Sequence, residues 1–401
     1  MSEAEGPCPQ SRAVRHFGAL FGSSPTVVGR APGRVNLIGE HVDYCEGIVL
    51  PMAVQLHTVV VGARSEEPKS TSHKICSLNV DAGQTLELPV SRALELADDS
   101  LPRWTRYVQG VLALFPAEVP TFQAVVCSNL PLGGGLSSSA SLEVAFFNFL
   151  VGLLDEPLAI TDLEAAKLCQ RAEREFAGVP CGLMDQATVV FAQTGCAMLF
   201  DCRSLEVRHV PMTATAAEEE ETTPAVVLVL DSGVKHELAS GEYAKRRAAC
   251  ERAVALIGKP LRDASTRDLE HAGFADRPDE LACARHVVGE IGRVAEAAAA
   301  LRSRDWPALG RLMNESHDSL RDDFAVSCAE VDALVEACRS VEGVYGSRMT
   351  GAGFGGCTVS LVAKDRLANV LDAVERRIGR KMAPLVCLPS SGASFSRLSP
   401  Q

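Results

Sequence analysis

The run Leu130-Pro-Leu-Gly-Gly-Gly-Leu-Ser-Ser-Ser-Ala-Ser141 constrains the chain most. It sets Gly133, Gly134 and Gly135 directly before Leu136, Ser137, Ser138 and Ser139. Glycine lets the backbone turn tightly and approach a ligand closely. An apolar series at helical spacing follows (Leu142, Ala145, Phe146, Phe149, Leu150), and Ala124–Cys127 ahead of the turn has the composition of a strand. The expected local structure is strand, glycine turn, serine-capped helix. The start of such a helix offers unpaired N–H groups and the positive end of its dipole, a setting that suits phosphate. Serine caps helices in many settings, so this run alone leaves an ordinary capped helix open. The lysine-bearing phosphate loop G-x-x-x-x-G-K-[ST] is absent from the chain. Positive charge and metal ligands for a nucleotide must therefore come from other segments.

A second segment, Thr26 to Tyr44, carries Arg34, Glu40, His41 and Asp43 close together, interleaved with Val35, Leu37, Ile38 and Val42. The apolar residues anchor the loop, and charges on an anchored loop are held in place for a ligand. Carboxylates beside an imidazole suit a polyhydroxylated ligand, because each can hydrogen-bond a hydroxyl. A third segment, Met349 to Leu361, matches G-x-G-x-x-G through Gly351, Gly353 and Gly356. A dinucleotide fingerprint follows a strand and opens a helix. Here Cys357–Ala363 reads as a strand after the glycines, so the match is rejected in favour of backbone approach to a ligand or to another loop. Asp185 stands where a new helix or turn begins, a common place for an N-cap.

Composition excludes several classes. A formal net charge of −12 argues against non-specific nucleic-acid or anionic-membrane binding. The 14 cysteines show neither a C-x-x-C pair nor zinc spacing and read as free thiols of a cytoplasmic protein. No signal peptide or bilayer-length apolar run is expected.

Read in order, 1–10 is expected to be disordered and Ala13–Phe21 a short helix. Strands are expected at 48–50 and 55–63, and a hairpin with a loop at 65–100. A helix begins after Pro102, with Trp104 and Tyr107 on one face, as core or as a wall for a purine. Thr161–Phe176 is a helix opened by the capping box Thr161/Glu164. The pieces 188–191 and 196–201 read as a hairpin, 213–224 as a solvated loop, and 225–230 as a buried strand. Further helices are expected at 244–257, 286–301, 306–320 and 366–380.

Taken together, Pro32–Tyr44, the Gly-Leu-Ser-Ser-Ser-Ala loop and Thr350-Gly-Ala-Gly-Phe-Gly-Gly356 resemble the small-molecule kinases named for galactose, homoserine, mevalonate and phosphomevalonate, the GHMP family. The first piece is similar to the galactokinase signature. The resemblance runs from about Val27 to Ala363 and takes in Arg103-Trp104, Cys181–Gln186, Ser240–Tyr243 and His317–Phe324. It implies an α/β (α+β) two-lobed fold with a mixed-sheet N-terminal lobe and a helix-backed antiparallel C-terminal lobe around a cleft. The division expected is 1–20 as a partly disordered extension, 21–180 and 181–375 as the lobes, and 376–401 as a segment able to return to the first lobe.

The resemblance further implies ATP-dependent phosphorylation of the anomeric hydroxyl of galactose. A monomer is expected separately, because nothing in the sequence announces an interface. Gly133 to Ser139 would wrap the phosphates, and Trp104 would lie near the adenine. Ser139 and Glu173 would hold Mg²⁺, and Glu40, His41, Asp43, Gly182, Asp185 and Tyr243 the sugar, with Arg34 and Asp185 flanking the reacting hydroxyl. Arg34 can stabilise charge on the transferring phosphoryl group and Asp185 can accept the sugar proton. Val42 and Cys45 depart from the residues many galactokinases carry, which keeps N-acetylgalactosamine kinase open as an alternative. A sugar-binding regulator without catalysis is the second alternative; its known relatives lack the Ser139-Ala140 pair present here.

Overall fold

Two long strands, Val27–Asn36 and Pro51–Arg64, form the spine of a six-stranded sheet. The computed structural model describes residues 8–66, 70–90, 100–212, 225–234 and 239–399. Across the sheet the order is Ser394–Arg397, Val27–Asn36, Pro51–Arg64, Phe122–Ser128, Ser72–Ser77, Thr85–Pro89. The pairs are antiparallel except Ser72–Ser77 with Phe122–Ser128, so the sheet is mixed. Val59-Val60-Val61 is continuously apolar because both faces are covered. Val59 and Val61 pack under Ala13 and Phe17 of the helix Pro9–Phe21. Val60 points to the opposite face, where Val144, Phe146 and Phe149 of the helix Ser138–Leu153 cover it. A Cβ on Gly29 would lie 2.2 Å from the Ala145 carbonyl oxygen, so glycine there lets this helix lie directly on the sheet.

The second sheet is antiparallel throughout, in the order Val344–Met349, Cys357–Ala363, Ala225–Asp231, Leu385–Cys387. The helices Ala329–Arg339 and Leu367–Ile378 back one face through Leu334, Cys338, Val370 and Val374. The helices Pro278–Ser303 and Trp306–Asp322 cover the other through Val294, Leu309 and Leu312. The cluster on that face also contains Val35 and Met52 of the first sheet and Leu37, Ile38 and Leu50 from the segment between its two long strands, so the anchored loop 36–43 is pinned between the two sheets. A small third sheet joins Ile48–Val49, Cys196–Asp201 and Val207–Pro211. The α/β architecture, mixed sheet and helix-backed antiparallel sheet agree with expectation.

Several local expectations are corrected. The first helix begins at Pro9, whose ring suits the first helical turn, so residues 9 and 10 are ordered. Thr188–Phe191 is not a strand: it ends the helix Met184–Phe191, where the Thr188 hydroxyl donates to the Met184 carbonyl at 2.6 Å. Short apolar runs carry no period that separates strand from buried helix. The helix Ser138–Leu153 is not serine-capped, because Ser137 makes no side-chain cap bond. The Thr161/Glu164 capping box and the hairpin Ser72–Ser77/Thr85–Pro89 form as expected. The expected loop at 213–224 lies outside the described residues.

Candidate active site

Arg34 leaves the strand Val27–Asn36 just after a register shift between Pro32 and Arg34. Its Nε donates to Asp185 Oδ1 at 2.8 Å and its Nη2 to Asp185 Oδ2 at 2.9 Å, a bidentate pair. Its Nη1 donates to the Gly135 carbonyl at 2.6 Å, and its backbone N–H to the Leu136 carbonyl at 3.1 Å. The Ser137 hydroxyl donates to Asp185 Oδ2 at 2.5 Å. This bond explains the missing cap: Ser137 sits at φ 55, turned away from its own helix and toward the aspartate. Asp185 occupies the first turn of Met184–Phe191 without capping it. The Arg34 side chain is 5% exposed and that of Asp185 26%, so the pair is anchored at the arginine and open at the acid.

The two glycine segments meet here backbone to backbone. A Cβ on Gly135 would lie 3.0 Å from the Thr350 carbonyl oxygen, and one on Gly351 would lie 3.2 Å from the Gly135 Cα. Gly133 and Gly135 both adopt positive φ, which glycine tolerates without strain. A cavity of about 350 Å³ opens between the segments, within the range of small-molecule sites. It is lined by Arg34, Glu40, His41, Asp43, Gly133, Gly135, Ser137 to Ser139, Glu173, Gly182, Asp185 and Tyr243, together with Thr350 to Gly353. Leu136 is buried in the core beneath it. Gly134 and Trp104 do not line it; the Trp104 indole N–H donates to Asp81 at 2.6 Å.

The acids of the first loop are not equivalent. Both oxygens of Glu40 are taken: Oε2 by Arg348 and Asn36, each at 2.6 Å, and Oε1 by the Thr350 hydroxyl and Gly351 N–H, each at 3.0 Å. Burial pushes its carboxyl up, partly offset by Arg348. Glu40 thus ties the first loop to the third. His41, at φ 62, contacts the Ala352 carbonyl through Nε2 at 3.1 Å and the Tyr44 hydroxyl through Nδ1 at 2.9 Å. Burial lowers its pKa to about 3, so the ring is neutral. A carbonyl only accepts, so Nε2 carries the hydrogen and Nδ1 accepts from tyrosine. Asp43 is pushed up to about 6, first by burial and then by the negative charge of Asp185. A Cβ on Gly182 would lie 1.8 Å from Asp43 Oδ2, so glycine makes room for that carboxylate.

Glu173, near the end of the helix Asp162–Glu175, is 6% exposed and raised to about 7, chiefly by burial and then by Asp185. Its partners are Ser139, Gln186 and Cys181, none of them a cation among the described residues. A buried carboxylate beside a hydroxyl, with no positive partner, is a donor set that fits a hard divalent cation.

Sequence reasoning missed the support beneath the loop. Arg348 is fully buried against Glu40, His286 reaches the Glu40 carbonyl at 3.1 Å, and Glu290 accepts the Gly39 N–H at 2.9 Å. All three stand on ordinary strands and helices far along the chain, and no local signal marks them.

Comparison with known proteins bears on this geometry. The galactokinase galactose-binding signature matches residues 15–64, the N-terminal domain of GHMP kinases residues 106–193, and the C-terminal region of GHMP kinases residues 297–380. The galactokinase of Homo sapiens is 48% identical over 371 residues, covering 92% of each chain. That of Chloroflexus aurantiacus is 43% identical over 397 residues, covering 94% of this chain and 95% of its own. The structure of Lactococcus lactis galactokinase complexed with galactose superposes with a TM-score of 0.87 at 29% identity, covering 96% of this chain and 99% of its own. A mevalonate kinase at 18% identity and TM-score 0.62 shares the fold.

Proposed function

Because the chain belongs to the galactokinase family of GHMP kinases, we propose that it transfers the γ-phosphoryl group of ATP to the anomeric hydroxyl of galactose, giving galactose 1-phosphate and ADP. The observation that carries this reading is the Arg34–Asp185 pair, bound on one side to the Gly135 turn and open on the other to the cavity of the first loop. Phosphoryl transfer asks for positioning and charge neutralisation more than for covalent chemistry. In this reading the turn Gly133 to Ser139 and the N-terminus of the helix Ser138–Leu153 receive the phosphates. Asp185 takes the proton of the anomeric hydroxyl. Arg34, fixed by three hydrogen bonds, holds Asp185 in place and stabilises charge on the group in transfer.

Asp43 and Tyr243 hold sugar hydroxyls, and Gly182 keeps space for Asp43. Glu40 and His41, whose polar atoms are already engaged, shape the sugar wall and lock the first loop to the third. Ser139 and Glu173 would hold Mg²⁺. When bound, that ion would neutralise phosphate charge during transfer. The adenine lies beyond the cavity wall, toward Trp104. One chain supplies every group, consistent with a monomer, and 14 free thiols suit a reducing cytoplasm. Among the described residues no helix is long and apolar enough to cross a membrane.

The test is a coupled ADP-release assay across a panel of hexoses including N-acetylgalactosamine, with phosphorus NMR of the product. Galactose is expected to turn over fastest, with phosphate on its first carbon. Faster turnover of N-acetylgalactosamine, or phosphate on another carbon, would overturn the assignment.

A further inference from the structure

Asp185 and Gln186 are neighbours on the helix Met184–Phe191 but serve different partners. While Asp185 faces Arg34, Gln186 is fully buried, and its Nε2 donates to Glu173 Oε2 at 2.6 Å and to Glu143 Oε2 at 3.0 Å. A side-chain amide nitrogen has two hydrogens, and both are spent on carboxylates. Glu143, also fully buried, stands one helical turn after Ser139 on the helix Ser138–Leu153. One amide therefore joins the helix that carries Ser139, the helix that carries Glu173 and the helix that carries Asp185. Of Glu143, Glu173 and Gln186, Glu173 alone lines the cavity. The other oxygens, Glu143 Oε1 and Gln186 Oε1, are buried without a hydrogen-bond partner. Two carboxyl groups and an amide with unsatisfied atoms fill a core poorly, and apolar residues of the same size would pack there more favourably.

We propose that Gln186 is a positioning residue for the divalent cation: its amide clamps Oε2 of Glu173 and leaves Oε1 for the metal, while Glu143 holds the amide from behind. This rests on the reading of Glu173 and Ser139 as the metal-binding pair. A partner behind a ligating group fixes its orientation, and loss of such a partner weakens metal binding about 10–100-fold. Because Gln186 adjoins Asp185, the same short helix sets the metal ligand and the proton acceptor in register.

The experiment measures ADP affinity by calorimetry in the presence of galactose, with Mg²⁺ and with chelator. The ratio of the two affinities reports the metal's contribution separately from turnover. The unsubstituted protein is expected to bind ADP more tightly with Mg²⁺, and Glu173→Gln to lose that gain. Gln186→Met, which keeps volume and removes both donors, should cut the gain roughly tenfold while leaving metal-free ADP and galactose affinities unchanged. Glu143→Gln, whose carbonyl still accepts, should retain the gain, and Glu143→Met should behave like Gln186→Met. If Glu173→Gln loses the gain while Gln186→Met and Glu143→Met keep it, the clamp is wrong and the metal pair stands. If Glu173→Gln keeps it too, the metal pair itself is wrong and the clamp falls with it. Should Gln186→Met not fold, the two Glu143 variants decide: equal behaviour overturns the clamp.

Discussion

Gly182→Ala adds one methyl group to a residue with no chemistry of its own, yet the site gives it a specific victim. The new Cβ would stand 1.8 Å from Asp43 Oδ2 and 2.2 Å from its Cγ. Non-bonded heavy atoms settle near 3.5 Å apart, so the carboxylate must retreat by roughly 1.5 Å. It then leaves the N–H groups of Tyr44 and Met184 that now hold it and, in the role proposed for it, a sugar hydroxyl. Hydrogen bonds to a charged group contribute about 1.5–3 kcal/mol, and 1.4 kcal/mol is tenfold in affinity, so galactose binding should weaken about 10–100-fold. Steady-state kinetics with galactose and ATP varied separately check this: KM for galactose rises and KM for ATP holds. Gly292→Ala, in a helix and with nothing within 4 Å of its Cβ, is the control and should leave both unchanged. A Gly182→Ala protein with normal KM for galactose would refute the placement of Asp43 on the sugar.

Other outcomes follow from the same geometry. Ser137→Ala should leave thermal stability nearly intact and lower kcat about tenfold, because the hydroxyl serves Asp185 and caps nothing; a helix cap would show the reverse in paired unfolding and rate measurements. With Asp43 raised to about 6, the acceptor carboxylate is present above that pH and lost below it. A pH series should therefore show KM for galactose rising as pH falls through about 6, and Asp43→Asn should flatten the profile. Arg348→Met strands the buried Glu40 carboxylate and should cost about 3–5 kcal/mol, and calorimetry should show Glu40→Met added to it recovering part of the loss.

The sequence displayed what is local. Three consecutive glycines before serines mark a backbone turn wherever they occur, and Thr161 with Glu164 marks a helix start, since both act within a few residues. The charges of the first loop announced a site because apolar neighbours pinned them. Which of those charges remain free was not legible. Glu40 is consumed by Arg348, Thr350 and Gly351, and His41 by Ala352, all more than three hundred residues away in the chain. Ser137 looked like a cap because serine at that position usually is one; only the approach of Asp185 from another helix shows why its hydroxyl turns elsewhere. Thr188–Phe191 misled for the complementary reason, that three apolar residues after a threonine carry no period of their own.

We propose that Asp185, held by Arg34 and Ser137, acts on the sugar hydroxyl during transfer. Single-turnover rapid quench of Asp185→Asn with saturating galactose and labelled ATP tests it most directly. The rate of phosphoryl transfer should fall about 10²–10⁴-fold, with galactose and ADP affinities and the unfolding temperature close to those of the unsubstituted protein. A transfer rate equal to that of the unsubstituted protein would contradict the account.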